Sequence, residues 1–360
     1  MIRGDAAPRG FGLDLLRAIA VSLVLIGHCG DVFAQFLGVH FPLAVSYGAF
    51  LGVELFFVLS GFLVGRILIG VAAAPRAAAW RVFMARRWLR TLPLYYVWLA
   101  VLLVGMPPLF WLADPYFARR AHAAVVYGLF LQNPVHAVGF GGWFGVSWSL
   151  AVEEWFYLSF SAALLAGSAR LGRRAALIGL LAVFCVGPAL ARAVFLPAPD
   201  LPGSVLTALD QIAFGVAAGW ASLAWPRGFA RAGWLALPGV VLIWLFWHIP
   251  VGMFGGSMAL RLALSFDLVG LGGALCLPLA ARWRVARGWA AEAVRWLSAR
   301  SYGFYITHLS VLEYVAFANR HGAVPGWLAC LGAGVVIVAL PVLSWRCLEQ
   351  PMLGLRPAQI

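Results

Sequence analysis

Long apolar stretches alternate with short polar segments over the whole chain. Each long stretch approaches the roughly 20 apolar residues that an α-helix needs to cross a bilayer. A further apolar stretch at 122–133 is too short to cross, and we expect a re-entrant or interfacial segment there. The pattern indicates an all-α polytopic membrane protein with a bundle of about ten helices. The predicted spans are residues 13–34, 49–70, 92–112, 147–167, 175–195, 204–225, 233–252, 259–281, 301–318 and 326–347.

The composition agrees with a lipid environment. Hydrophobic residues make up 63% of the 360 positions and charged residues 11%, whereas a soluble domain has roughly 25% charged residues. One soluble core cannot bury so much apolar surface. The five cysteines are scattered along the chain. They indicate neither a disulfide framework nor a metal site, and we expect no metal cofactor.

The basic residues are all arginine, 26 in number, and the net charge is +13. They occur in short runs between apolar stretches, which indicates membrane topology, whereas nucleic-acid binding would need a basic face on a soluble module. With the N-terminus inside, nineteen arginines fall on inner segments and five, Arg192 among them, on outer ones. This positive-inside imbalance predicts that both termini are cytoplasmic. We expect one transmembrane domain over 1–360, without an additional soluble domain and without a nucleic-acid partner.

The first predicted span contains charged side chains, and each costs at least about 2.5–3.5 kcal/mol at bilayer depth. Arg17 and His28 are eleven residues apart. This is close to three helical turns, so both project from one face, roughly 16 Å apart. Asp14 precedes Arg17 by about one turn and can pair with it. Taken alone, His28 fits a packing role better than a functional one.

Carboxylates in the later spans favour a functional role for His28. A histidine near carboxylates supplies the groups needed for general acid–base catalysis. A carboxylate can also orient the imidazole and determine which of its nitrogens carries the proton. The candidates are predicted to lie in the outer parts of their spans, near the depth of His28, and they are Glu54, Glu153, Glu154, Asp210 and Asp267.

The ninth span carries a second polar face. Ser301, Tyr305 and His308 follow at i, i+4 and i+7, so they share one face that we expect to point into the bundle. The sequence is equally compatible with an interhelical hydrogen bond and with a functional role for His308.

The segment 76–93 is rich in arginine and is predicted to lie at the cytoplasmic side. Contact with lipid headgroups would explain it, and so would an anion clamp, because guanidinium groups bind phosphate in a bidentate manner. If the segment is helical, Arg87 and Arg90 lie one turn apart, and Pro93 is expected to end that turn. A basic mouth inside and a histidine–carboxylate cluster outside would connect a phosphorylated donor with an outer acceptor. The arginines are Arg76, Arg81, Arg86, Arg87 and Arg90.

These segments resemble the acyltransferase 3 family of bacterial membrane proteins. The resemblance covers nearly the whole chain, from residue 12 to about residue 352, and it rests on seven motifs in the order of the family. The motifs are GLDLLRAIAVSLVLIGH (12–28), GVELFFVLSGFLVGRIL (52–68), RRWLRTLPLYY (86–96), WSLAVEEWFY (148–157), LDQIAFGVAAG (209–219), SYGFYITH (301–308) and LEQP (348–351).

The resemblance implies transfer of an acyl group, usually acetyl, from cytoplasmic acyl-CoA to a carbohydrate or glycolipid beyond the bacterial inner membrane. By position, His28 is similar to the proposed catalytic histidine of the family, and Arg17 to its motif partner. Arg87 and Arg90 are similar to the RxxR pair tied to acyl-CoA use. Glu153 is similar to the glutamate of the WSLxVE stretch.

One position departs from the family pattern. Ala208 stands where many members carry a basic residue, just before the aspartate of this segment. This difference leaves the role of Asp210 open.

The mechanism expected from these features places the CoA phosphates at Arg86, Arg87 and Arg90. His28 would act as general base on the acceptor hydroxyl, or as a transient acyl carrier. Glu153 would orient the acceptor or His28, and Arg17 would hold charge along the conduit. The alternative is a transporter or flippase of a lipid-linked or anionic substrate. The expected supporting residues are Asp14, Glu54, Glu154, Asp210, Tyr305 and His308.

Overall fold

The structure is a computed structural model that describes residues 10–39, 43–73, 77–105, 120–132, 144–195, 208–248, 258–322 and 324–358. These residues are helical and contain no β-strand. Short π-helical segments continue two helices at Val101–Gly105 and Trp345–Glu349, and a 3₁₀ turn lies at Ala232–Leu235.

The α-helices within the described residues are numbered in chain order. They are α1 (Phe11–Leu37), α2 (Leu43–Val71), α3 (Ala77–Ala100), α4 (Arg120–Gly128), α5 (Ser147–Leu171), α6 (Arg173–Phe195), α7 (Asp210–Ala224), α8 (Pro226–Arg231), α9 (Ala236–His248), α10 (Met258–Arg282), α11 (Trp289–Arg320), α12 (Gly326–Ser344) and α13 (Gln350–Gly354).

A described helix overlaps each of the ten predicted spans. The short stretch at 122–133 overlaps α4, which begins at Arg120 and whose nine residues are too few to cross a bilayer. Its re-entrant or interfacial placement stays a prediction. The number of spans and the cytoplasmic location of both termini stay predictions. By length and composition, five helical segments within the described part of the chain could cross a membrane: Phe11–Leu37, Gly48–Val71, Arg173–Arg192, Pro226–Phe246 and Gly326–Gly354.

Helix α2 is the central helix of the bundle and packs against α1, α7 and α10. Two glycines allow its backbone to approach its neighbours closely. A Cβ atom at Gly52 would overlap the carbonyl oxygen of Ala20 on α1, and one at Gly61 would overlap that of Ile212 on α7. Small residues at helix contacts are typical of membrane bundles, where close van der Waals packing holds the helices together.

Helices α1 and α11 run parallel. Ser298 binds Asp14 near the start of α1, and His308 binds His28 two-thirds of the way along it. The topology predicted from the sequence requires this relative direction, because both helices correspond to odd-numbered spans.

Helices α3 and α5 run antiparallel. Arg87 on α3 contacts Glu153 on α5, and eight residues later Tyr95 packs its ring 5.3 Å from that of Phe144, just before α5 begins. Consecutive odd and even spans should run in opposite directions, as these two helices do.

The expectation that Pro93 ends the arginine-bearing turn is wrong. Helix α3 continues through Pro93 to Ala100. Proline removes only one backbone donor, and neighbouring hydroxyl groups and helices can compensate for such a loss inside a bundle. The carbonyl oxygen that loses its amide donor is that of Leu89, four residues earlier, and α3 is tied to α11 near this point, where Tyr302 donates to the Thr91 carbonyl oxygen at 2.7 Å.

Candidate active site

A cavity of about 90 Å³ lies among helices α1, α2, α3, α5 and α11. This is enough space for several water molecules or a thin chain, because a cavity needs about 10–15 Å³ of accessible volume to hold one water molecule. Its wall combines aromatic, hydroxyl and charged side chains. The lining residues are Arg17, Val53, Phe56, Phe57, Ser60, Arg87, Arg90, Thr91, Ser149, Leu150, Glu153, Ser301, Tyr302 and Tyr305.

Positive charge is in excess in this cavity. Arg17, Arg87 and Arg90 line it, and Glu153 is the carboxylate among its described lining residues. Arg87 forms an ion pair with Glu153 and places its guanidinium carbon 4.4 Å from the centroid of the Tyr157 ring. A cavity with this charge balance suits an anionic group, because guanidinium is a strong ligand for phosphate and carboxylate.

The two neighbouring glutamates of α5 have different partners. Glu153 faces the cavity, whereas Glu154 accepts a hydrogen bond from the Trp88 indole at 3.0 Å. Arg87 and Trp88, also adjacent in the chain, therefore bind adjacent residues of α5. Glu154 is buried and holds α3 against α5, outside the lining of the cavity.

Two other predicted site residues lie at the edge of this region. Arg86 donates to the carbonyl oxygen of Pro357 in the C-terminal segment and does not line the cavity. Asp14 accepts a hydrogen bond from Ser298 at 2.7 Å, while its predicted pairing with Arg17 stays a prediction.

Glu349 is a charged residue near the site to which the sequence interpretation gave no role. It is buried, accepts a hydrogen bond from Ser344 at 2.9 Å and lies within electrostatic reach of Arg90 and Arg300. Glu349 belongs to the LEQP motif at 348–351, and this motif was the available signal for a role of the residue.

The polar face of α11 points into the bundle, as predicted. Ser301 and Tyr305 line the cavity, and the fully buried His308 binds His28. The His28 Nδ1 and His308 Nε2 atoms are 2.9 Å apart, and the two rings, inclined by 28° with centroids 5.1 Å apart, meet edge to edge along this hydrogen bond.

Tyr305 lies between the cavity and the histidine pair. Its hydroxyl is 2.6 Å from the Ser149 hydroxyl, and its ring packs edge-on against Phe56 at 6.0 Å. His308 follows Tyr305 by about one turn. The histidine pair therefore lies next to Tyr305, whose ring centroid is 6.1 Å from that of His308, and neither histidine lines the cavity itself. Arg17, which does line it, lies three turns before His28 on α1.

None of the predicted carboxylates is hydrogen-bonded to the His28 ring in the described part of the chain, and their depth in the membrane stays a prediction. Glu54 lies eleven residues after the start of α2 at Leu43, about 16 Å along the helix at 1.5 Å per residue. The neighbouring Gly52 packs against Val24 on α1, one turn before His28. The bonded partner of the His28 ring is His308, Glu153 pairs with Arg87, and the Glu54 carboxylate oxygens have no hydrogen-bond partner among the described residues.

Arg192 was predicted to be one of the outer arginines, but in the structure it lies inside the bundle. Its side chain is 1% exposed inside α6, where it binds Asp210 at 2.5 Å and Asp267 at 3.0 Å. The fully buried Glu54 shares the electrostatic environment of this cluster. The available signal for this cluster was the position of Arg192 within the predicted span 175–195, because a charged residue inside a span needs buried acidic partners.

The model of the acyltransferase domain family matches residues 11–346. The chain belongs to this family. Among the described residues, no group of three or more His, Cys, Asp or Glu side chains is arranged to hold a metal ion.

Curated relatives are similar over most of this chain. YrhL of Bacillus subtilis (strain 168) is 26% identical over 95% of the chain and 54% of its own length. The peptidoglycan O-acetyltransferase OatA of Listeria monocytogenes is 24% identical over 94% of the chain and 55% of its own length. The O-acetyltransferase OatA of Staphylococcus aureus is 34% identical over 41% of the chain and 24% of its own length. The chain thus spans about half the length of the first two relatives, and no solved structure matches it significantly.

Proposed function

We propose that this protein is a membrane O-acyltransferase. In this proposal it moves an acetyl group from cytoplasmic acyl-CoA to a hydroxyl of a carbohydrate or glycolipid at the outer side of the bacterial inner membrane. The observation that carries the proposal is the arginine-lined cavity whose lining residue Tyr305 packs beside His308, the buried partner of His28. Two relatives named O-acetyltransferases, one of them acting on peptidoglycan by its name, support this choice of reaction and acceptor.

The donor is proposed to bind with its anionic part at the arginines. Arg90 and Arg87 line the cavity, and Arg86 lies beside the C-terminal segment, where the nucleotide end of CoA would meet it. A space of about 90 Å³ suits the thin pantetheine arm better than the nucleotide. We therefore expect the nucleotide to stay at the cytoplasmic mouth and the thioester to enter the bundle.

The proposed reaction is acyl transfer from a thioester to an alcohol. The acceptor oxygen attacks the thioester carbonyl, a C–O bond forms and the C–S bond breaks. His28 takes the hydroxyl proton, and the CoA thiolate finally takes up a proton, so that CoA leaves as the thiol. In the second form of the reaction, a His28 ring nitrogen first accepts the acetyl group from the thioester and then passes it to the hydroxyl.

Glu153 and Arg17 are proposed to act on the donor. Glu153 binds Arg87, so we assign it the positioning of Arg87 in place of a role at the His28 ring. Arg17 lines the same cavity and would hold negative charge of the donor on its way inward. In a dry interior such charge interactions are stronger than in water.

The test is transfer of labelled acetyl from acetyl-CoA into envelope glycans, in membranes with wild type or His28→Ala at matched expression. The proposal expects incorporation by wild type and its loss in His28→Ala. Incorporation that survives in the variant would remove His28 from the chemistry. If wild type consumes neither acetyl-CoA nor other acyl-CoAs above a membrane without the protein, the proposed reaction is wrong and the transporter alternative takes its place.

A further inference from the structure

We infer that His308 is a positioning residue that fixes the tautomer of His28 and leaves the Nε2 atom of His28 as its reacting nitrogen. The inference rests on the proposed function, in which a nitrogen of His28 takes a proton or an acetyl group. It assigns His308 a role that in many sites belongs to a carboxylate or a backbone carbonyl.

The protonation of His308 follows from its backbone partners. Its Nδ1 atom lies 2.9 Å from the carbonyl oxygen of Phe304 and 2.9 Å from that of Tyr305. Carbonyl oxygens only accept hydrogen bonds, so Nδ1 must carry the proton. A neutral imidazole has one N–H group, and the Nε2 atom of His308 therefore carries a lone pair.

The protonation of His28 follows in turn. The lone pair of His308 Nε2 faces the Nδ1 atom of His28 at 2.9 Å. Two lone pairs at this distance would repel each other, so His28 Nδ1 must donate a proton to the bond. Neutral His28 then has its own lone pair on Nε2, the nitrogen away from His308.

The surroundings make this arrangement specific. His308 is completely buried, so water does not compete for its Nε2 atom. The carbonyl oxygens of Phe304 and Tyr305 belong to the preceding turn of the same helix, which holds the ring in place. His308 thereby orients His28 without bringing a negative charge into the bundle, and an uncharged acceptor avoids the desolvation penalty of a buried carboxylate.

The experiment combines acetyl transfer with ring-nitrogen NMR. The variants are His308→Leu, which removes the acceptor, and His308→Gln, whose amide oxygen can accept from His28 Nδ1. His321→Leu, at the exposed end of the same helix, is the matched control. Purified protein carrying ¹⁵N-labelled histidine reports whether Nδ1 or Nε2 of His28 is protonated, and the His28 signals are identified by their loss in His28→Ala.

We expect the wild-type protein to show the Nδ1–H tautomer of His28. The His308→Leu variant should lose this preference and about 10- to 100-fold in kcat, with little change in the KM for acetyl-CoA. The His308→Gln variant should recover both the tautomer and most of the activity, and His321→Leu should match wild type. Rescue by glutamine separates tautomer control from a general loss of packing.

The experiment distinguishes an error in the role of His308 from an error in the proposed function. Loss of activity in His28→Ala together with wild-type kcat in His308→Leu would overturn the role of His308 and keep the reaction. An Nε2–H tautomer of His28 in the wild-type protein would also overturn the inference. Full activity of His28→Ala would overturn the proposed role of His28 and, with it, the role of His308.

Discussion

Arg87 on α3 and Glu153 on α5 form an ion pair inside the candidate active site. The sequence had assigned these two residues to opposite sides of the membrane, Arg87 to the cytoplasmic mouth and Glu153 to the outer half. Their contact shows that the arginine-bearing segment reaches into the bundle. The pair brings the proposed donor-binding residues to the wall that also carries Ser149 and Tyr305.

Replacing Arg87 by lysine tests the geometry of this pair. Lysine keeps the charge but loses the planar fork and its stacking on Tyr157. We expect Arg87→Lys to raise the KM for acetyl-CoA about tenfold, equal to ~1.4 kcal/mol of binding. The measurement is labelled-acetyl transfer over a range of acetyl-CoA concentrations. Arg81→Lys, exposed on the same helix, is the control, and equal KM values for the two variants would contradict the prediction.

Arg90 and Arg86 should differ in their importance for donor binding. Arg90 lines the cavity, whereas Arg86 binds the Pro357 carbonyl oxygen outside it. We expect Arg90→Ala to raise the KM for acetyl-CoA about tenfold or more, because a hydrogen bond to a charged group contributes about 1.5–3 kcal/mol. Arg86→Ala should have a smaller effect. The same kinetic assay measures the KM of both variants. A larger increase for Arg86→Ala than for Arg90→Ala would show that the donor binds outside the cavity.

Arg192 should be essential for stability. Removing one partner of a buried ion pair leaves uncompensated charge and costs about 3–5 kcal/mol. We expect Arg192→Met to lower the melting temperature of the purified protein in detergent, and Arg192→Met with Asp210→Asn to recover part of the loss. Arg173→Met, exposed at the start of the same helix, should melt like wild type. A wild-type melting temperature for Arg192→Met would show that the cluster does not stabilise the bundle.

Two glycines of α2 provide a matched test of helix packing. At Gly61 a methyl group would overlap the backbone of α7, and at Gly70 it would meet nothing within 4 Å. We expect Gly61→Ala to destabilise the protein by about 1–3 kcal/mol, the usual cost of overpacking. Gly70→Ala should be neutral or slightly stabilising, because alanine favours helix over glycine. Thermal unfolding in detergent compares the two, and equal stabilities would contradict the close packing of α2 and α7.

Local patterns of the sequence predicted much of the fold. Hydropathy depends on residues close in the chain, so the sequence located a helix at each of the ten predicted spans. Helical periodicity likewise predicted that Ser301, Tyr305 and His308 share one face. Pro93 was misjudged because the tolerance of a proline inside a helix depends on the packing of neighbouring helices, which the local sequence does not show.

The chemistry of the site depended on contacts between distant residues, and only the tertiary structure decided these. His28 and His308 are 280 positions apart, and periodicity shows which face of a helix is polar but not which neighbouring helix that face meets. Arg192 shows the same limit, because its aspartates lie on two other helices. The sequence by itself determined that this is a helical membrane protein with buried histidine, arginine and carboxylate groups. Packing decided that His28 pairs with His308, Glu153 with Arg87, and Asp210 and Asp267 with Arg192, because the register between helices is set by side-chain contacts along the whole bundle.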